Sequence, residues 1–228
     1  MPLDYGMARQ MEGSLFREGL EAPAELPRGR HKLEREVVLA SQRGRLISAF
    51  VKLAADGGYD NVTIIDIVSL AGTSKRTFYE HFEDKEDCLL QSFDTVRNLL
   101  ISAIVGEAGP VSDPIERIRV GVGAYIGALS ELPDFTRLFL SESMAAGPAL
   151  ADRWIEATET LATVIHTWRE QSRRDHPELP DLPLLRAKIV LLGLNEEICM
   201  LVHRDGVESV VEHREALIGE AVALLTAA

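Results

Sequence analysis

The chain has 228 residues, 46% hydrophobic and 26% charged, a composition that excludes overall disorder and suffices for one large domain or two modest ones. Its longest stretch free of Asp, Glu, Lys and Arg is Val120 to Ser130, eleven residues, short of the roughly 20 apolar residues a membrane helix needs. The net charge of −12 is segregated, +5 from Arg28 to Lys52 and −11 from Glu86 onward, so an anionic partner is drawn to one end and repelled by the other.

Met1-Pro2-Leu3-Asp4 does not open like a signal peptide, and a soluble, cytoplasmic protein with no membrane partner is expected. The two cysteines, Cys88 and Cys199, make neither a disulfide framework nor a four-cysteine zinc site. Both lie in apolar, helix-patterned surroundings and are expected to be buried free thiols. No metal site and no cofactor are expected.

Residues 1–35 carry scattered Gly and Pro and then the basic run Arg28-Gly29-Arg30-His31-Lys32, which reads as a flexible leader with a basic arm. From about Glu36 the pattern is helical, with Leu46, Phe50, Leu53 and Ala54 on one face and Gly57-Gly58 as the stop. Thr63 and Asp66 fit a capping box for a short helix that runs to Ala71, and Gly72 supplies the turn. Ser74 reads as the next N-cap, opening Lys75-Arg76-Thr77-Phe78-Tyr79-Glu80-His81-Phe82. Asp84 caps a third start, whose stripe is Leu89, Phe93, Val96, Leu100 and Ile104.

Pro114 falls in the first turn of a helix reaching about Leu132. Helices are then predicted over 135–145, 149–174 and 184–205, with Gly206 as a stop and a last helix over 207–226. No segment alternates like a strand, so the fold class is all-α.

Two short helices joined at Gly72 describe a helix-turn-helix. Ala71, Phe78 and Phe82 form its anchoring face; Lys75, Arg76, Thr77, Tyr79 and His81 are left outside. Such a helix enters the major groove, about 12 Å wide, and offers Arg and Lys donors to base edges. On pattern alone, an ordinary helical hairpin with solvated charges stands beside this reading.

Gly58-Tyr59, Thr63, Asp66-Ile67, Ala71-Gly72, Ser74, Thr77 through Phe82 and Asp84-Lys85-Glu86 resemble the N-terminal domain of the TetR (tetracycline-repressor) family of transcriptional regulators. The likeness covers about residues 42–93. It implies a three-helix DNA-binding domain over 36–84 and a larger helical ligand-binding and dimerisation domain over 85–228. By the same resemblance Ser74, Lys75, Arg76 and Thr77 face DNA bases, and Thr63, Tyr79, His81 and Lys85 hold the DNA backbone.

The implied function is that of a repressor, a homodimer on a palindromic double-stranded operator, released by an unknown small-molecule effector. Val68 and Thr73 depart from the family's usual small alanine and valine, which bears on how the reading helix is seated. Arg28, Arg30 and Lys32 are candidates for an arm in the adjacent minor groove, beside the alternative of a disordered tail.

In the acidic half, Leu191, Leu194, Ile198 and Leu201 form one stripe, and Val207, Val210, Leu217, Ala221 and Leu224 another. The resemblance assigns these to a dimer bundle; an intramolecular core is the alternative. Candidate effector-pocket residues are Tyr125, Phe139, Met144, Trp154, Trp168, Asn195 and Glu196, a largely apolar set with a few polar groups.

An enzyme is disfavoured. No Glu stands three residues before any His, and neither a Gly-x-Ser-x-Gly elbow nor a Gly-x4-Gly-Lys-Ser/Thr loop is present. Gly121, Gly123 and Gly127 have the wrong spacing for a dinucleotide fingerprint and read as small residues permitting close helix packing. An adaptor that kept the fold without DNA binding remains the other rival, and Lys75, Arg76 and Thr77 argue against it.

Overall fold

The computed structural model describes residues 35–142 and 147–227, and no strand occurs among them. The chain divides into two compact units, with the boundary after Phe93.

The first unit begins with α1, Arg35–Gly57. Leu46, Ile47, Phe50 and Ala54 repeat at helical spacing and are buried. The helix stops because Gly58 takes φ 79°, a left-handed conformation that glycine adopts without a Cβ clash. Asn61 Nδ2 donates to the freed Gly57 carbonyl at 2.8 Å. A single 3₁₀ turn, Tyr59–Asn61, leads into α2, Ile64–Leu70.

The expected capping box is formed: Thr63 Oγ1 accepts from the Asp66 amide at 3.3 Å, and Asp66 Oδ2 accepts from the Thr63 amide at 3.2 Å. Gly72 turns the chain at φ 61°, and the Thr73 amide donates back to the Val68 carbonyl at 2.9 Å. Then follows α3, Lys75–His81, capped by Ser74 Oγ, which accepts from the Thr77 amide at 3.1 Å. Asp84 caps α4, Lys85–Ala108, through the Asp87 amide at 2.8 Å.

Phe50, Ile67, Phe78, Phe82 and Leu89 fill the core of this unit. Val68 is buried too, so the larger residue at this position is absorbed into the packing beneath the turn. Thr73 is half-buried, with its Oγ1 enclosed and without a hydrogen-bond partner. By length and apolarity α4 would suffice to cross a bilayer. Its apolar stripe, Leu89, Phe93, Val96, Leu100 and Ile104, is buried inside the protein instead.

The second unit is built round α5, Pro114–Glu131, whose first turn is capped by Asp113 Oδ1 accepting from the Ile115 and Glu116 amides. It buries Ile118, Val122, Tyr125, Ile126 and Leu129. After it come α6, Pro133–Glu142, α7, Pro148–Asp175, and α8, Leu184–Asp205. Gly147 and Gly206 take φ 109° and 85° at the joints.

The single last helix predicted over 207–226 is two helices, α9, Glu208–Glu212, and α10, Arg214–Thr226. His213 breaks it at φ −91°, ψ 1°, where its ring Nδ1 donates to the Ser209 carbonyl that its own amide also uses.

A second correction concerns the stripe assigned to a dimer bundle. Leu191, Leu194, Ile198 and Leu201 are buried within the chain, as are Val207, Val210 and Ala221. Only Leu224 of that set is exposed. The close-packing reading of the glycines holds at two of three positions. A Cβ on Gly121 would meet Trp168 at 3.2 Å, and one on Gly123 would meet Arg214 Nη2 at 2.9 Å, whereas Gly127 faces open space.

Candidate nucleic-acid interface and effector cavity

The front of α3 is where the first unit presents cations. Phe78 and Phe82 are buried with ring centroids 5.3 Å apart, and together with Ala71 they lock the inner face of the helix. Lys75 and Arg76 stand on the opposite side; the Arg76 side chain is 90% exposed. Its Nε donates to Glu80 Oε1 at 3.1 Å, which leaves the terminal nitrogens of the fork free to point outward. Such a fork matches the O6 and N7 acceptors of guanine. Ser74 and Thr77 are tied to each other at 3.0 Å and to the cap, so their hydroxyls sit fixed at the helix entrance.

The residues assigned to the DNA backbone are placed unequally. Tyr79 is exposed, its ring edge-on to Phe78 at 5.5 Å. Thr63 is exposed but its hydroxyl donates to Asp66 Oδ2 at 2.6 Å. Lys85 is occupied inside the unit: Nζ donates to the Tyr59 carbonyl at 3.0 Å and lies 4.2 Å from the centroid of the Tyr59 ring. His81 is half-buried, with Nε2 enclosed and without a hydrogen-bond partner. Burial, and then the Arg43 guanidinium, push its pKa below the ordinary histidine value. Arg28, Arg30 and Lys32 lie outside the described residues.

Two residues of this face escaped the sequence reading. Glu80, an acidic neighbour of the reading side chain, is detectable from its i, i+4 spacing to Arg76. Arg45 of α1 reaches the turn, with Nη1 4.0 Å from where a Gly72 Cβ would stand. No local signal announces that approach.

The second unit holds a cavity of about 410 Å³, counting its open mouth. Ile104 of α4, Ile118, Gly121, Val122 and Tyr125 of α5, Leu161, Val164, Ile165 and Trp168 of α7, and Leu191 and Leu194 of α8 line it. Only about 30 Å³ of it admits the centre of a water-sized sphere, so the cavity as it stands is narrow. Tyr125 and Trp168 were among the sequence candidates. Asn195 stands behind the wall, accepting the Tyr125 hydroxyl's hydrogen bond, and burial raises the Tyr125 pKa.

The other candidates are elsewhere. Phe139 is fully buried against Phe135, centroids 4.3 Å apart, and does not line the cavity. Neither does Trp154; Glu196 is exposed, and Met144 lies outside the described residues. The stripe on α7 at i, i+3, i+4 and i+7 is the sequence signal for the wall, but periodicity alone does not separate a cavity wall from a filled core.

Cys88 is buried, and burial pushes its thiol up to about 12; Cys199 is half-buried. No metal-binding group of three or more His, Cys, Asp or Glu occurs among the described residues.

Residues 46–91 match the family described as bacterial regulatory proteins, tetR family. The chain is 26% identical to the HTH-type transcriptional activator FasR of Mycolicibacterium smegmatis over 178 residues, covering 78% of this chain and 76% of that protein. It superposes on the fatty acid degradation regulator FadR of Bacillus halodurans with TM-score 0.72 at 17% identity, covering 79% and 94% of the two chains. FadR of Bacillus subtilis, solved in complex with stearoyl-CoA, gives TM-score 0.70 at 17% identity over 81% and 98%. These two structures share the fold.

Proposed function

Since the chain belongs to the TetR family of bacterial regulatory proteins, and is a DNA-binding transcriptional regulator, we propose that it works as a cytoplasmic homodimer repressing transcription from a palindromic operator, and that an apolar effector in the cavity releases it. The observation that carries the reading is the pair Lys75 and Arg76, exposed on a helix whose other face is locked by buried phenylalanines. Lys75 and Arg76 read base edges in the major groove. Ser74 and Thr77 fix the helix entrance beside them. Tyr79 donates to a phosphate, and the free amides at the start of α2, beside Thr63, receive another. Lys85 and His81 act from inside, bracing the 3₁₀ turn and the end of α3. The basic arm at Arg28, Arg30 and Lys32 adds sequence-independent attraction to phosphates.

The domain boundaries proposed are a leader over 1–35, a DNA-binding domain over 36–84 and a regulatory domain over 85–228. With the earlier stripe used up as core, the dimer face is proposed to be the row Leu185, Ile189, Leu192 and Met200 on α8 with Leu224 on α10, all exposed. An effector acts only by favouring one arrangement of the two DNA-binding heads over the other. The stearoyl-CoA found in FadR of Bacillus subtilis supports an effector with an acyl chain.

FasR is an activator, and the same DNA reader would serve that output. Footprinting the purified protein on DNA upstream of its own gene, with a reporter driven by that DNA, tests the reading. A protected palindrome with reporter activity rising on gene deletion is expected; no salt-sensitive, sequence-selective complex would point to the adaptor.

A further inference from the structure

The cavity of the second unit has a wall of one chemical kind. No charged side chain lines it, and the only polar side-chain atoms its lining residues carry are the Tyr125 hydroxyl and the Trp168 indole nitrogen. The Tyr125 hydroxyl is already spent, donating to Asn195 Oδ1. An ionised group brought inside would therefore lose its hydration with nothing to replace it.

One part of the wall is set by a missing side chain. Gly121 sits inside α5, where glycine disfavours the helix. A methyl there would come within 3.2 Å of Trp168 Cζ3, with Ala108 and Ile104 behind it at 3.6 and 3.7 Å. The glycine is thus a seat for the indole, and both residues face the cavity. Where the ring rests decides how much of the space is open.

Resting on the reading of this cavity as the effector site, we infer that it takes the uncharged end of a slender hydrocarbon chain, any ionised group staying outside, and that Trp168 seated on Gly121 sets the length of chain accepted. A chain with one ionised end enters by its methyl end. A chain ionised at both ends has no end to bury.

The test uses the full chain carrying Trp154→Phe, which leaves Trp168 as the single tryptophan of the two in the sequence. Straight-chain 1-alkanols, the matching monocarboxylates and the matching α,ω-dicarboxylates are titrated while Trp168 emission is followed. Alkanols and monocarboxylates of equal length are expected to shift the emission, and dicarboxylates to bind about tenfold more weakly or worse. By calorimetry, Trp168→Leu moves the tightest-binding alkanol to a longer chain and Gly121→Ala moves it to a shorter one. The two variants change opposite sides of one packed pair, so either that folds suffices.

Equal binding of dicarboxylates, absence of alkanol binding, or an unmoved length optimum in a folded variant overturns the inference. DNA affinity is measured in the same samples. A Trp168 response with DNA affinity unchanged contradicts effector release but leaves the cavity assignment standing; DNA binding without any alkanol binding overturns the cavity assignment and leaves the DNA-binding reading standing.

Discussion

His81 closes α3 with its ring half enclosed beside Phe82, centroids 6.2 Å apart, and next to a cationic neighbour, Arg43. Its pKa is lowered in the fold, so between the folded value and the ordinary 6.5 the unfolded chain binds more protons. Stability from this group is therefore fully present above about pH 6.5 and is lost as pH falls through the folded value. Thermal melts from about pH 8 to 5 should show a loss that His81→Gln reduces; an identical pH slope in the variant would remove His81 from the account. Thr73 offers a second test, because its enclosed hydroxyl lacks a partner. Thr73→Val keeps the shape and removes the orphan, and should raise stability by about 1 kcal/mol in denaturant titration. At this scale the sequence showed Lys75, Arg76 and the Ser74 cap, because each is decided within one helical turn. It did not show that Lys85 is tied to the carbonyl of Tyr59, 26 residues earlier, or that His81 is shut in beside Arg43. Those facts depend on which helices meet.

Single helices were legible wherever the chain carries its own punctuation. Gly58, the Thr63–Asp66 box, Gly72, Ser74, Asp84, Pro114 and Gly206 each place a boundary, and each does there what its residue type predicts. The break at His213 has no such mark, since a histidine in mid-helix is unexceptional until its ring bonds the Ser209 carbonyl. The α8 face was misassigned for a related reason. A helix apolar on two sides offers two stripes, and spacing does not say which one the chain itself covers. For α3 the cap carries a definite expectation. Ser74→Ala removes the acceptor for the Thr77 amide and should cost about 1 kcal/mol in the melt of the first unit. Affinity for DNA should fall with it, because the entrance that holds Lys75 and Arg76 frays. A melt unchanged within error would mean that α3 is held by Phe78 and Phe82 alone.

Across the whole molecule, charge and apolar surface divide the labour. The basic stretch from Arg28 to Lys52 precedes and enters the DNA-binding helices, while the stretch from Glu86 onward, at −11, has little attraction for a duplex. Deleting residues 1–33 should lower DNA affinity and flatten its salt dependence, by roughly 0.9 log units for each phosphate the arm neutralises. An unchanged slope would retire the arm. The exposed row on α8 predicts the assembly. Ile189 is 59% exposed at its middle, so Ile189→Glu should sediment as a monomer and bind an operator roughly a hundredfold or more weakly, with its fold intact. A dimer surviving that change would move the interface elsewhere.

Everything functional in this account descends from the outward face of α3. The most direct measurement is a salt-controlled gel shift of the Lys75→Ala, Arg76→Ala double variant on a duplex that the unaltered protein selects from a random pool. A helical melt like that of the parent would show both proteins to be folded. Loss of at least tenfold in affinity, about 1.4 kcal/mol or more, together with loss of preference for the selected duplex, is the predicted result. Undiminished, sequence-selective binding by the folded variant would contradict it.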